Sequence, residues 1–173
     1  MAIEVQQSVT IARPLTRVQS FVSDIQNEEK YWNGVKSVRL LSGTAGQPGA
    51  KYERVFTAMG REQRTTIDVV ESQPERVVVQ SAPGPVSVRG TMTFAEVPEG
   101  TKVDVHLDAK TKGLFATLMK RKIRQNIEND TSASLLRLKQ VLEAEQKTEP
   151  VPAPARSQAK TVPDTRKTAK KSK

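Results

Sequence analysis

The hydrophobic positions of this 173-residue chain repeat at two different periods. Between residues 3 and 11, Ile3, Val5, Val9 and Ile11 share one side of a two-residue alternation that only Gln7 interrupts, which predicts a half-buried β-strand. Arg13-Pro14 ends it, and Leu15, Val18, Phe21, Val22 and Ile25 then recur at helical spacing, with the proline suited to a first helical turn. Glu28 to Trp32 adds one more turn. Val35 to Leu41 returns to β composition, and Ser42 to Gly49, with three glycines and a proline, predicts a loop.

Alternation then dominates as far as Asp108. Lys51 to Met59 and Arg61 to Glu71 flank Gly60 as a hairpin would, and Gln73-Pro74-Glu75 separates the second of them from Val77 to Ser81. After Pro83-Gly84-Pro85, Val86, Val88, Met92 and Phe94 alternate with Ser87, Arg89, Thr91 and Thr93. Beyond Pro98-Glu99-Gly100, Val103, Val105 and Leu107 alternate with Asp104, His106 and Asp108. Turns this short require antiparallel neighbours, because parallel strands need crossovers of about a dozen residues or more. From about Lys112 to Glu145 the step lengthens. Phe115, Met119, Ile123, Ile127, Leu135, Leu138 and Leu142 follow three- and four-residue spacing with one gap, and no proline or later glycine interrupts them. One long amphipathic helix is expected, lying across the sheet.

Charge changes this picture only at the C-terminal end. Residues Lys147 to Lys173 hold eight of the 28 Lys and Arg but two of the 19 Asp and Glu, so the net charge of +9 leaves +3 on residues 1–146. The same segment has no aromatic residue, no Ile and no Leu with which to build a core. We expect one domain over residues 1–146 and a disordered, basic, Pro/Ala/Lys-rich tail over 147–173. The absence of Cys excludes disulfides, thiolate metal sites and cysteine catalysis. No run of 18 apolar residues and no signal-peptide pattern occurs, so a cytoplasmic protein is expected.

The segments Ile11-Ala-Arg-Pro-Leu with Val18, Phe21 and Val22, Tyr31-Trp32-Asn33, Gly49-Ala-Lys-Tyr-Glu-Arg-Val-Phe, Val88-Arg-Gly-Thr-Met-Thr-Phe and Gly100-Thr-Lys-Val carry a further signal. Together they resemble the SRPBCC superfamily, which includes START-like and birch-pollen-allergen-like proteins. More narrowly, they resemble its bacterial polyketide cyclase/dehydrase and lipid-transport-like branch, over about residues 3–143. The resemblance implies an α+β helix-grip fold: a curved seven-stranded antiparallel sheet wrapped around a long C-terminal helix, with two short helices after the first strand. It also implies a cavity between sheet and helix for a hydrophobic or amphipathic molecule such as a lipid, polyketide or isoprenoid. A polyketide cyclase/dehydrase-like enzyme is the alternative, because this fold sets a binding geometry and not a reaction.

The lining of such a cavity must come from inward-facing positions. Trp32, Tyr52, Phe56, Ile67, Val88 and Met92 are candidates from the first helices and the sheet. Phe94, Leu107, Phe115, Met119 and Ile123 complete the set from later strands and the first half of the long helix. Arg54 falls on the same side as Tyr52 and Phe56. A buried guanidinium is costly unless paired, so Arg54 should meet a carboxylate, reach the cavity mouth or face an anionic ligand group. Glu71, in phase with Ile67 and Val69, is a possible partner.

Other chemistry is sparse. His106, the one histidine, shares a strand face with Asp104 and Asp108, and residues two apart point the same way. Two carboxylates and an imidazole on an open sheet face are ordinarily solvated, so no metal and no cofactor is expected. No Gly-x-Ser-x-Gly elbow, phosphate loop or dinucleotide fingerprint occurs, and no catalytic residue is named. Lys120, Arg121, Lys122 and Arg124, with Lys110 and Lys112 upstream, form a basic cluster. With the tail, it defines a second alternative: an interaction protein making weak contacts to an anionic membrane or nucleic acid.

Overall fold

The computed structural model describes residues 2–58, 60–83, 86–112 and 119–148, with side chains as far as residue 145. The opening alternation forms β1 (Ala2–Ile11), followed by α1 (Leu15–Ser23), a 3-10 turn (Ile25–Asn27) and α2 (Glu28–Tyr31). Strands β2 (Val35–Ser42), β3 (Lys51–Ala58), β4 (Arg61–Gln73), β5 (Arg76–Ser81), β6 (Val86–Val97) and β7 (Gly100–Thr111) then meander antiparallel. The sheet order is β1-β7-β6-β5-β4-β3-β2, so the two short helices carry the chain from one edge of the sheet to the other. The last element, α3 (Lys120–Thr148), packs chiefly against β1 and α2. This is the helix-grip arrangement that the resemblance implies.

Strand β7 shows why the alternation is so legible. Thr101, Val103, Val105, Leu107, Ala109 and Thr111 are all buried on its inner side, while the residues between them are at least partly exposed. At the start of the strand the chain passes so close to β1 that a side chain at Gly100 would place its Cβ 2.2 Å from the Ile11 carbonyl oxygen, and φ there is +132°. Only glycine fits that approach.

The described helix opens at Lys120 and Lys112 is not helical, while residues 113–118, where the helix is also expected, lie outside the described residues. Strand alternation and helical spacing run into one another around that position, so periodicity alone cannot place the boundary. Phe115 lies outside the described residues, as do residues 149–173, most of the expected tail. The helix continues through Thr148.

The two halves of α3 are packed differently. Leu135, Leu138 and Leu142 are buried in the same core as Ile3, Val5, Val103 and Val105. The gap in the apolar stripe is occupied by Thr131, which is buried with its hydroxyl donating to the Ile127 carbonyl at 2.6 Å. Ser134, also buried, donates to the Asp130 carbonyl and accepts the Asn33 N–H at 2.8 Å, tying the helix to the end of α2. Toward the start, Ile123 and Ile127 are only half-buried against the core. Truncating Leu138 to Ala should therefore cost about 2–5 kcal/mol in urea unfolding, and Ile123→Ala distinctly less. Equal losses would show that the first half of α3 is as tightly packed as the second.

Candidate functional site

Helix α2 is short, but it carries the polar centre of the interior. Glu28, Tyr31 and Trp32 stand at i, i+3 and i+4 and therefore share one side of the turn. Glu28 and Tyr31 are buried and Trp32 is half-buried. Tyr31 packs between Phe21, at 6.0 Å between ring centroids, and Trp32, at 6.1 Å edge to face. Its neighbour Glu29 turns the other way and accepts the Val38 N–H, fastening α2 to β2. Asn33 extends the attachment to α3, its Nδ2 donating to Asp130 Oδ1 at 2.7 Å.

Register brings Arg54 under this turn. On β3, Arg54 stands between Val38 of β2 and Thr65 of β4, on the inner side with Tyr52. Its Nε lies 3.2 Å from Glu28 Oε2, with side chains 18% and 5% exposed respectively. The atoms are close enough to attract as ions, yet not aligned for a hydrogen bond: neither Arg54 Nε nor Glu28 Oε2 has a hydrogen-bond partner among the described residues. Burial pushes the Glu28 carboxyl above its ordinary pKa, and the Arg54 charge only partly opposes this. Burial first, and then the nearby Glu28 charge, hold the Tyr31 hydroxyl well above its usual range, so it stays protonated.

Glu71 is not the partner of Arg54. The β4–β5 register shifts between Val69 and Glu71, so Val69 opposes the inner Val79 whereas Glu71 opposes Val78. A one-residue slip changes the face of every later side chain. Glu71 accordingly pairs with Arg76 at 3.3 Å, both partly exposed. Sequence reasoning missed Glu28 as the carboxylate. Its signal was its position three residues before Tyr31 in a turn that must cover an inward arginine.

The other expected lining residues separate into two groups. Tyr52, Ile67, Phe94 and Leu107 are buried, and Tyr52 is further committed through its hydroxyl, which accepts the Gly46 N–H at 2.8 Å. Trp32, Phe56, Val88, Met92, Met119 and Ile123 are half-buried. Of these, Trp32, Val88, Met92 and Ile123 pack against the core with Val79 and Ile127, apolar side chains that the core does not completely cover. Clefts at the surface of the described residues include one of about 430 Å³ between β1 and the start of α3, and one of about 460 Å³ lined by Leu15, Glu75, Phe94 and Glu96 among others. Of the expected lining set, only Phe94 borders either one.

A family model described as polyketide cyclase / dehydrase and lipid transport matches residues 2–143. The chain belongs to this family. Solved structures with the family's architecture include the Zhui aromatase/cyclase from Streptomyces sp. R1128, at 13% identity, TM-score 0.69, with 84% of this chain and 96% of that one covered. TTHA0849 from Thermus thermophilus aligns at 19% identity and TM-score 0.67, covering 84% of this chain and 99% of that one. Ara h 8.0201 aligns at 12% identity and TM-score 0.66, covering 83% and 99%. A search of curated proteins finds no match. At these identities the structures share a fold, and one fold accommodates interiors that hold and do different things.

The raised Glu28 carboxyl has a consequence for stability. A pKa higher in the folded than in the unfolded chain means that the folded state holds the proton more firmly. This contribution is complete below the ordinary value of 4.5 and is lost as pH rises through the folded pKa. Glu28→Gln removes it. The stability of the wild type relative to Glu28→Gln should therefore fall as pH rises above 4.5, then level off. Urea unfolding from about pH 4 to about pH 8 measures the difference, and a constant or rising one would contradict the burial of Glu28.

Proposed function

We propose that the protein binds an apolar or amphipathic small molecule between the inner side of its sheet and the first half of α3, with the molecule's polar end at Arg54 and Glu28. The observation that carries this reading is the buried ion pair whose Nε and Oε2 lack hydrogen bonds among the described residues, set beside apolar side chains that are only half-covered. Buried polar atoms ordinarily find a partner: a ligand oxygen accepts from Arg54 Nε, whereas Glu28 Oε2, an acceptor when ionised, takes an O–H or N–H donor. Met92, Met119, Val88 and Ile123 supply adaptable apolar walls, Trp32 and Phe56 flank the polar end, and Tyr52, Ile67, Phe94 and Leu107 form the firm backing. Phe115 belongs to the same proposed set by its spacing in the sequence. The family description, which includes lipid transport, supports the substrate class.

Native mass spectrometry and organic extraction of the purified protein test this reading, with a co-purifying apolar or amphipathic compound as the expected result. In addition, Arg54→Met should weaken binding of a fatty acid probe by about ten- to a hundredfold while leaving the matching fatty alcohol unchanged, since one charge-assisted hydrogen bond contributes about 1.5–3 kcal/mol. Failure to bind either probe, with nothing co-purifying, overturns it.

A second reading is favoured by Glu28. A cyclase or dehydrase needs a buried group that exchanges protons near neutral pH, and Glu28 is a carboxyl whose affinity for its proton is raised by burial. Arg54, beside it, would stabilise negative charge developing on a substrate carbonyl oxygen. The Zhui protein is named as an aromatase/cyclase, and StfQ, whose fold is also similar, as a di-domain aromatase/cyclase from the steffimycin biosynthetic pathway. On this reading Glu28→Gln abolishes turnover of a poly-β-ketone while preserving binding.

The basic start of α3 adds a peripheral contact to either reading. Lys110, Lys112, Lys120, Arg121 and Lys122 are exposed and have no ion-pair partner among the described residues, while Arg124 is held by Glu128 at 2.8 Å. No helix of the described residues is long and apolar enough to cross a membrane. These cations would instead meet an anionic surface from outside, each contributing about 1 kcal/mol at low salt. Alanine at Lys120, Arg121 and Lys122 together should abolish co-sedimentation with anionic vesicles at low salt. Retention by the variant, or a preference for duplex DNA over vesicles, counts against this contact.

A further inference from the structure

We infer that the outer face of the sheet carries a divalent transition-metal site formed by Glu4, His106 and Asp108. Glu4 of β1 stands directly opposite Asp108 of β7, and His106 lies two residues before Asp108 on the same outward face. One ligand atom from each of the three lies within 4.8 Å of the others, and His106 Nε2 is 3.7 Å from Asp108 Oδ1. Alternation along β7 alone points to Asp104 as the third group. However, Asp104 is engaged by Lys102 at 2.9 Å, and Glu4 takes its place from the neighbouring strand.

The arrangement is unfavourable without a cation. Like charges directly opposite one another on paired strands repel, and burial of the inner face locks this register so that the two carboxylates cannot slip apart. Nearby cations do not resolve the conflict. Among the described residues, Lys102 is paired with Asp104, Arg124 with Glu128, and Arg89, opposite Asp108 on β6, donates to Gln80. Lys120 lines the same cleft as Glu4 and His106, and Lys110 stands two residues after Asp108 on the same face, but neither forms an ion pair with Glu4 or Asp108 among the described residues. Among the described residues Glu4 has no ion-pair partner, and the one basic group within 4 Å of the Asp108 carboxylate is the imidazole.

The donor set defines the ion. One imidazole and two carboxylates suit Zn²⁺ or Co²⁺, whereas Ca²⁺ takes about six to eight oxygen ligands and Mg²⁺ prefers oxygen alone. Metal–ligand distances of about 2.0–2.2 Å require the three donor atoms to close by roughly an ångström, which exposed side chains can do by rotation. Three protein ligands leave a coordination position for water, and Glu4 and His106 also border the cleft of about 430 Å³ between β1 and α3. Because the site lies across the sheet from Arg54, it is independent of the interior reading.

Titration of the tag-free full-length chain with Co²⁺, followed by its visible absorption, and with Zn²⁺ by calorimetry, tests the assignment. One equivalent should bind, and His106→Ala and Glu4→Gln should each weaken it at least tenfold, because removing a ligand costs no less than disturbing the groups that orient it. Asp104→Asn should leave affinity unchanged, and excess Mg²⁺ should not compete. Binding unaffected by His106→Ala, or weakened as much by Asp104→Asn as by Glu4→Gln, overturns the site in favour of diffuse attraction to acidic side chains. These surface substitutions leave the core untouched, so unfolding does not confuse the outcome, and urea unfolding of each variant verifies it.

Discussion

A guanidinium on the inner side of β3 imposes a requirement that the surrounding structure must meet. Removing one partner from a buried ion pair costs about 3–5 kcal/mol, so Arg54 needs a carboxylate at close range. Helix α2 brings it one. Its four residues supply Glu28 to the interior, Glu29 to the β2 backbone and the lead into Asn33, which binds two side chains of α3. The turn that connects the two edges of the sheet thus also joins the sheet, the helix and the buried charge. Its polar attachments hold Glu28 where the apolar core alone would not.

The second consequence concerns α3. Its C-terminal half is a core element, closed over by Leu135, Leu138 and Leu142 and fastened by Lys139 to the Thr10 carbonyl and by Glu143 to the Ala12 N–H. The first half contributes only half-buried Ile123 and Ile127 and exposes its cations. Stability is therefore concentrated at one end of the helix, and the less committed end carries half-buried Ile123, one of the residues proposed to line a ligand site. The proposed binding of a small molecule is consistent with this division, since regions that open are drawn from the weakly packed part of a fold.

Much of the architecture was legible in the sequence. Strict alternation from Val103 to Leu107 placed β7, Gly60 placed a hairpin, and the spacing of Leu135, Leu138 and Leu142 placed the buried half of the last helix. The inward direction of Arg54 was legible too, because it follows from the phase of Tyr52. Its partner was not. Glu71 had the right phase until a bulge reversed it, and Glu28 lay in a turn too short to show a period. The proposed metal ligands repeat the lesson: His106 and Asp108 share a strand, but Glu4 is distant in sequence and meets them only because β1 pairs with β7.

By itself, then, the sequence determined which residues alternate, which recur at helical spacing, and that a basic segment follows a nearly balanced domain. Local periodicity records the face of each element, because Cβ directions repeat every two residues in a strand and every 3.6 in a helix. Only the tertiary structure decided what stands opposite each face: Glu28 against Arg54, Glu4 against Asp108, Glu71 against Arg76. Those outcomes depend on register, bulges and the pairing of the first strand with the last, which bring together side chains far apart along the chain and leave no local period to read.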